Sequence, residues 1–177
     1  MCVIDISPVI ETRRLRLRAP EDRDLMRIAA MADDWDIARM TLRLPHPYTF
    51  AMAQEFLARS AGQDRSRDNT FVIELEDEGA VGVIGFFHDS EPYPEMGYWI
   101  GRDYWGRGFA TEAAEGALLW ASKAWRKRAV SAGHFTDNPA SGRVLTKAGF
   151  LYTGEVRRQR SIARGEEAET RMMLWLA

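Results

Sequence analysis

Apolar and polar residues change rhythm many times along this chain, and each rhythm predicts an element. Arg14 to Arg18 alternates charged and apolar residues, the period of two that marks an opening strand. Pro20 then leads into a helix through about Met31, and Asp33 to Met40 reads as another short helix. Leu44-Pro45-His46-Pro47-Tyr48 holds two prolines and cannot be helix interior, so it forms a fixed loop before a helix from about Thr49 to Ala61. Gly62 to Asn69 reads as an exposed loop. Strands are expected at Thr70 to Glu76, Ala80 to His88 and Glu95 to Gly101, the first two joined by a turn around Glu78-Gly79. Ala110, Ala113, Ala114, Ala117, Ala121 and Trp125 recur at helical spacing, which predicts a helix of about four turns packed on a sheet. Beyond it, Ala129 to His134 reads as a strand, Pro139 to Ala148 as a helix capped by Gly149, and Leu151 to Arg158 as a strand. A final strand, Thr170 to Leu176, closes a hairpin through Arg164-Gly165. The order predicts an α/β (α+β) fold: a mixed, mostly antiparallel, strongly twisted sheet of about six or seven strands with helices on both faces.

Composition narrows the possibilities. At 177 residues, 46% hydrophobic and 28% charged, the chain suits one domain over residues 1–177 with a sizeable core. A net charge of -2 argues against a dedicated nucleic-acid binder, and the arginines of Arg13 to Arg18 and Arg157 to Arg160 read as solvated and strand-borne. The one cysteine, Cys2, allows neither an intramolecular disulfide nor a cysteine metal cluster, which fits the cytoplasm. The first residues lack the charged and apolar regions of a signal peptide, and no stretch approaches the roughly 18 apolar residues needed to span a bilayer. No metal and no membrane partner is expected.

The stretch that carries chemistry is Glu95 to Ala114, EMGYWIGRDYWGRGFATEAA, where a strand breaks into a glycine-rich turn that opens onto the long helix. The first amides of a helix have no partner within it and sit at the positive end of its dipole, so an anion supplies the missing acceptors. Gly106 and Gly108 permit turn geometries and a close approach that a Cβ would block, and Arg107 adds a fixed charge. A P-loop would need a lysine and a hydroxyl after Gly106, where Arg107 and Gly108 stand. A dinucleotide fingerprint would need a glycine at Thr111.

The residues from Trp105 to Ala110 resemble the signature of the GNAT acetyltransferases, [QR]-x-x-G-x-[GA], with Trp105 in place of the usual Gln or Arg. The longer string YWGRGFATEA looks like the branch of the ribosomal-protein N-terminal acetyltransferases. A second block, Asn138 to Phe150 (NPASGRVLTKAGF), is similar to the next motif of that branch. The resemblance implies the GNAT fold, in which two neighbouring strands splay apart to admit acyl-CoA; here they would be Glu95 to Gly101 and Ala129 to His134. It also implies acetyl-CoA as cofactor and CoA as product. The pyrophosphate would lie on the backbone of Arg107, Gly108, Phe109, Ala110 and Thr111, and the pantetheine arm on the main chain of Trp99, Ile100 and Gly101.

For acetyl transfer to an amine the same resemblance offers a short list. Asn138 either contacts a pantetheine amide or caps the helix after it, or does both. Many family members place a tyrosine general acid where this chain has Leu145. Ser141 resembles the serine of the ribosomal-protein branch and is the candidate for protonating the CoA thiolate, beside the plain reading of a helix-start serine. Glu95 is the candidate base through water, since partial burial would suit it to that task, or else a sheet carboxylate paired with arginine. His134, at the end of the opposing strand, could serve instead. The acceptor is expected against Met40 to Tyr48 and Arg157 to Glu169, with Trp35, His46 and Tyr48 lining an aromatic pocket and Glu166, Glu167 and Glu169 attracting a cationic amine.

Three functions fit. The leading one is an acetyl-CoA-dependent N-acetyltransferase acting on a primary amine, such as a protein or peptide N-terminal α-amine. The second is transfer to a small amine of the aminoglycoside or polyamine type. The third is an acyl-CoA-binding sensor without catalysis. A monomer or a homodimer would serve any of these, the exposed last strand being available to pair with a second copy.

Overall fold

In a computed structural model that describes residues 7–88 and 92–177, one sheet organises the chain. Cys2 lies outside the described residues. The elements run in the order β1 (Ile10–Glu11), β2 (Leu15–Arg18), α1 (Leu25–Ala32), α2 (Trp35–Ala38), α3 (Phe50–Ala61), β3 (Asn69–Leu75), β4 (Gly79–Phe87) and β5 (Glu95–Ile100). There follow α4 (Phe109–Lys123), β6 (Ala129–Phe135), α5 (Pro139–Lys147), β7 (Leu151–Ser161) and β8 (Glu166–Leu176). Strands lie side by side as β1-β2-β3-β4-β5-β6-β8-β7, antiparallel throughout except where β5 meets β6. The eighth strand is β1, whose two residues are too few to show a period.

Alternation along the strands builds two apolar layers. Leu17, Phe71, Ile73 and Phe86 join Met96 and Ile100 under α4, where Ala113, Ala114, Ala117 and Ala121 are fully buried and let the helix lie close to the sheet. Val72, Ala80 and Val83 face the other way, against Leu25 and Ile28 of α1 and Ala53 of α3. Helices therefore cover both faces, as the sequence pattern predicts.

Two details depart from that pattern. The helix expected from Pro20 opens with a 3₁₀ turn, Asp22–Asp24, because the Asp24 carboxylate is drawn inward to Arg18 (2.7 and 2.8 Å) and to the Glu21 amide (2.9 Å). Arg18 is accordingly buried rather than solvated, with Glu74 as a second partner at 2.8 Å. This buried ion pair, in which both terminal guanidinium nitrogens of Arg18 are bonded while Nε finds no partner among the described residues, ties α1 to β2 and β3; removing one member would leave the other charged and unpaired. Asn69, expected at the end of an exposed loop, is buried at the start of β3 with its amide bonded to the Arg65 carbonyl at 2.9 Å. No helix among the described residues is long and apolar enough to cross a membrane.

Candidate active site

The site begins where the sheet comes apart. Strands β5 and β6 face each other at a single pair, Glu95 opposite Ser131, with the Ser131 amide donating to the Pro94 carbonyl at 2.9 Å. Beyond it β6 pairs only with β8, and a gap opens along β5. The Gly101 amide donates to the Val81 carbonyl at 2.8 Å, so by the alternation of an antiparallel ladder Gly97 and Trp99 also turn their main chains to β4. Of the main-chain stretch expected to line the gap, the edge is thus carried by Tyr98 and Ile100, not by Trp99 and Gly101. Trp105, at the position where the family signature departs, donates its indole N–H to the Ile100 carbonyl at 2.7 Å and holds the Arg102 guanidinium 5.4 Å from its ring.

The glycine turn lies at one end of this gap. Gly106 (φ 73°) and Gly108 (φ 78°) both occupy the left-handed region that glycine enters without strain, and a Cβ at Gly106 would meet nothing within 4 Å. Gly108 is the N-cap of α4 and brings no side chain to the first amides. Glu112, the acid of that first turn, is turned aside: it accepts from Thr12 Oγ1 at 2.8 Å and from the Arg14 amide and Nε, each at 2.7 Å. Arg14 also donates to the Arg107 carbonyl at 3.1 Å, which pins the turn to the start of β2. Arg107 lays its guanidinium over the Phe109 ring at 4.8 Å, so its charge stays beside the open turn. Uncapped amides, two glycines, open space and a cation fit a phosphate group.

The other wall is α5. Pro139 occupies its first turn and Asn138 caps it, Oδ1 accepting the Ser141 amide at 3.2 Å, so the capping role expected of Asn138 is present. Gly142 seats the helix: a Cβ there would come within 2.8 Å of both His134 Nε2 and the Tyr152 hydroxyl. With α5 so close, Ser141 Oγ reaches the Tyr98 hydroxyl at 2.8 Å. Burial pushes the Tyr98 phenol up to about 12, the Ser141 hydrogen bond opposing only in part. Leu145 is buried in the core beneath and offers the gap no polar group. His134 is buried too. Its Nδ1 lies 2.8 Å from the Phe135 carbonyl, which can only accept, so Nδ1 carries a hydrogen, and Nε2 lies 2.9 Å from the Tyr152 hydroxyl, from which it accepts in the neutral ring.

Past the Glu95–Ser131 junction, on the face away from α4, lies a cavity of about 670 Å³. Glu95, Tyr98, Trp99, His134 and Ser141 line the end nearest the gap. Met40 to Pro45 and Tyr48 line the far side, as expected of that loop. The β7–β8 hairpin holds the loop there: Ser161 Oγ donates to the Thr41 carbonyl and the Ile162 amide to the Leu42 carbonyl, each at 3.0 Å, while Arg164 ties the hairpin to Asp137, between β6 and α5, at 2.9 and 3.0 Å.

Several expected acceptor groups fall elsewhere. Trp35 is exposed and packs edge-on to His46 at 5.4 Å, and neither lines the cavity. Glu166, Glu167 and Glu169 are exposed residues of β8 that do not line the cavity, Glu167 pairing with Arg158 at 3.3 Å. The carboxylates that do line the cavity are Glu55, Asp68 and Glu95. Gln159 Oε1 and Thr170 Oγ1, both buried in its wall, have no hydrogen-bond partner among the described residues. The sequence singles out neither Tyr98 nor Thr170, and it includes Gln159 only as part of the expected Arg157 to Glu169 stretch. A hydroxyl on the core-facing side of β5 was a usable sign for Tyr98; the other two carry no local sign, because only the hairpin places them.

Residues 14–151 match the acetyltransferase (GNAT) domain family. The chain belongs to the GNAT acetyltransferases. Like this GNAT enzyme in sequence is the uncharacterised N-acetyltransferase YoaA of Bacillus subtilis (strain 168), 31% identical over 156 residues that cover 85% of this chain and 86% of YoaA. A ribosomal L7/L12 α-N-protein acetyltransferase, RimL, solved with coenzyme A, superposes with a TM-score of 0.82 at 18% identity, over 96% of this chain and 98% of its own. The spermidine N-acetyltransferase of Vibrio cholerae, solved with CoA and spermine, gives 0.76 at 20% identity, over 92% and 95%. This GNAT chain is thus an N-acetyltransferase whose fold is shared by enzymes with quite different acceptors.

Proposed function

We propose that this enzyme binds acetyl-CoA in the gap between β5 and β6 and transfers the acetyl group to a primary amine held in the adjoining cavity, releasing CoA. The observation that carries the reading is the one-residue meeting of β5 and β6, which leaves β5 unpaired with β6 from beyond Glu95 to the end of the strand that leads into the Gly106–Gly108 turn. The N-terminal amides of α4, with Arg107, would hold the pyrophosphate; the main-chain edge of Tyr98 and Ile100 would hold the pantetheine arm, with the Asn138 amide within the same wall. Acetyl-CoA supplies an acyl group already activated as a thioester.

The chain's own residues do the rest. Enclosure in the cavity positions the amine, a large part of the rate in reactions of this kind. Glu95 takes a proton from the amine through a bridging water as nitrogen attacks. Ser141 O–H gives its proton to sulfur as the carbon–sulfur bond breaks and its electron pair goes to sulfur; the proton collected at Glu95 returns to Ser141 through solvent, so the balance closes. His134, with both ring nitrogens engaged, holds β6 and β7 together and is second choice as base.

The preferred acceptor is a peptide α-amine. Gln159 Oε1 and Thr170 Oγ1 offer hydrogen bonds to polar groups next to the amine, and Arg43 and Arg59 in the same wall disfavour a polycation. The carboxylates Glu55, Asp68 and Glu95 favour a small cationic amine as the second reading. Thermal stabilisation by acetyl-CoA, followed by thiol release with peptide and small-amine panels, tests both. Release with peptides upholds the reading, release only with polyamines favours the second, and stabilisation without any release removes catalysis.

A further inference from the structure

Serine is a weak acid, and its hydroxyl hydrogen rotates freely unless a neighbour fixes it. Here the neighbour is Tyr98. Its side chain leaves β5 on the same face as Met96 and Ile100, its ring packs against the core under α4, and its oxygen ends 2.8 Å from Oγ of Ser141, a residue of the cavity lining. Held at about 12 by burial, the phenol keeps its proton in any ordinary assay. A neutral phenol in an apolar setting must place that hydrogen on an acceptor. Two are in reach, Ser141 Oγ at 2.8 Å and the Ser141 carbonyl at 3.4 Å, and only the first has good hydrogen-bond length.

We propose that Tyr98 is a positioning residue for acetyl transfer: its O–H donates to Ser141 Oγ and thereby turns the Ser141 hydrogen into the cavity, toward the sulfur that leaves. As Ser141 O–H breaks and S–H forms, Tyr98 keeps its own proton and shares it with the negative charge developing on Oγ. This assignment rests on Ser141 being the proton donor. Gly142 belongs to the same device, since it lets α5 approach closely enough for the two oxygens to meet.

The test is a double-mutant cycle of Tyr98→Phe and Ser141→Ala, with kcat and the KM for acetyl-CoA measured at each corner. Loss of one hydrogen bond to a developing charge predicts about a tenfold or greater fall in kcat for Y98F, with the KM for acetyl-CoA within about twofold. In the S141A background Y98F should cost nothing more. Unchanged turnover in S141A would remove the reading of Ser141 itself. A loss in S141A with none in Y98F, or two losses that multiply, would overturn the role of Tyr98 and leave Ser141 standing.

Should Y98F fail to fold, 3,5-difluorotyrosine at position 98 keeps ring and oxygen but gives up its proton at lower pH. It should create a fall in kcat on the alkaline side that the natural protein lacks. Glu95 and His134, the other titratable groups at this end of the cavity, are common to both proteins, so a limb confined to the fluorinated one belongs to position 98. Identical pH profiles would refute the proposal.

Discussion

On the turn side of the gap, the proposed recognition of acetyl-CoA rests on main chain from one contiguous stretch, Gly106 to Phe109, stiffened by Arg14 and aimed by the dipole of a 15-residue helix. On the cavity side it rests on side chains from the 40–48 loop, α3, β4, β5, β6 and the β7–β8 hairpin, held together by contacts such as Ser161 with Thr41. The difference sets how each side responds to change. A main-chain site tolerates most side-chain substitutions but not the loss of a glycine whose φ is positive. A side-chain site keeps its backbone under substitution and changes what it accepts.

The junction of the two sides should be the most sensitive point. Glu95→Gln, at the one pair joining β5 to β6, should lower kcat by about a hundredfold as the proposed general base is removed, with the affinity for acetyl-CoA little changed; steady-state kinetics and calorimetry separate the two. Next comes the turn. Gly108→Val forces a β-branched residue to φ 78°, where its Cβ would otherwise touch only Arg14 Nη2 at 3.5 Å, so the fold should survive while acetyl-CoA affinity falls about tenfold or more. Calorimetric affinity equal to the natural protein's would break the contrast on that side.

Smaller effects should mark the cavity. Thr170→Val and Gln159→Leu should each change the KM for the acceptor by about fivefold, with acetyl-CoA affinity untouched, because each removes a buried group facing the cavity. An effect on acetyl-CoA instead would mean that the two sides are not separate. Smallest of all, Trp35→Ala and a triple change of Glu166, Glu167 and Glu169 to Gln should leave acceptor kinetics within about twofold, since these side chains lie outside the cavity.

The same contrast explains what the sequence made legible. Local rules reached the turn: Gly106 and Gly108 between a strand and an alanine-striped helix are a main-chain device written in consecutive residues. Asn138 before Pro139, and the helix after them, were readable for the same reason. The cavity was legible only in outline, as the 40–48 loop and the 157–169 stretch that the family resemblance implies, because Thr170 and Gln159 acquire meaning only when the hairpin folds over that loop. Glu166, Glu167 and Glu169 misled because a run of acids looks the same whether it faces solvent or a pocket. Arg18 misled in the converse way: alternation marked a strand, but only the fold brings Asp24 and Glu74 to it. Tyr98 sat in plain view at a core-facing position, and its partner lies 43 residues away in the chain.

The most direct test of the central claim is release of free thiol from acetyl-CoA, followed continuously as an amine acceptor is added to the full chain. The account predicts release that saturates in acetyl-CoA, depends on the amine, and is strongly reduced in Glu95→Gln. Thiol release that ignores the amine, or none with any acceptor despite binding of acetyl-CoA, would contradict it.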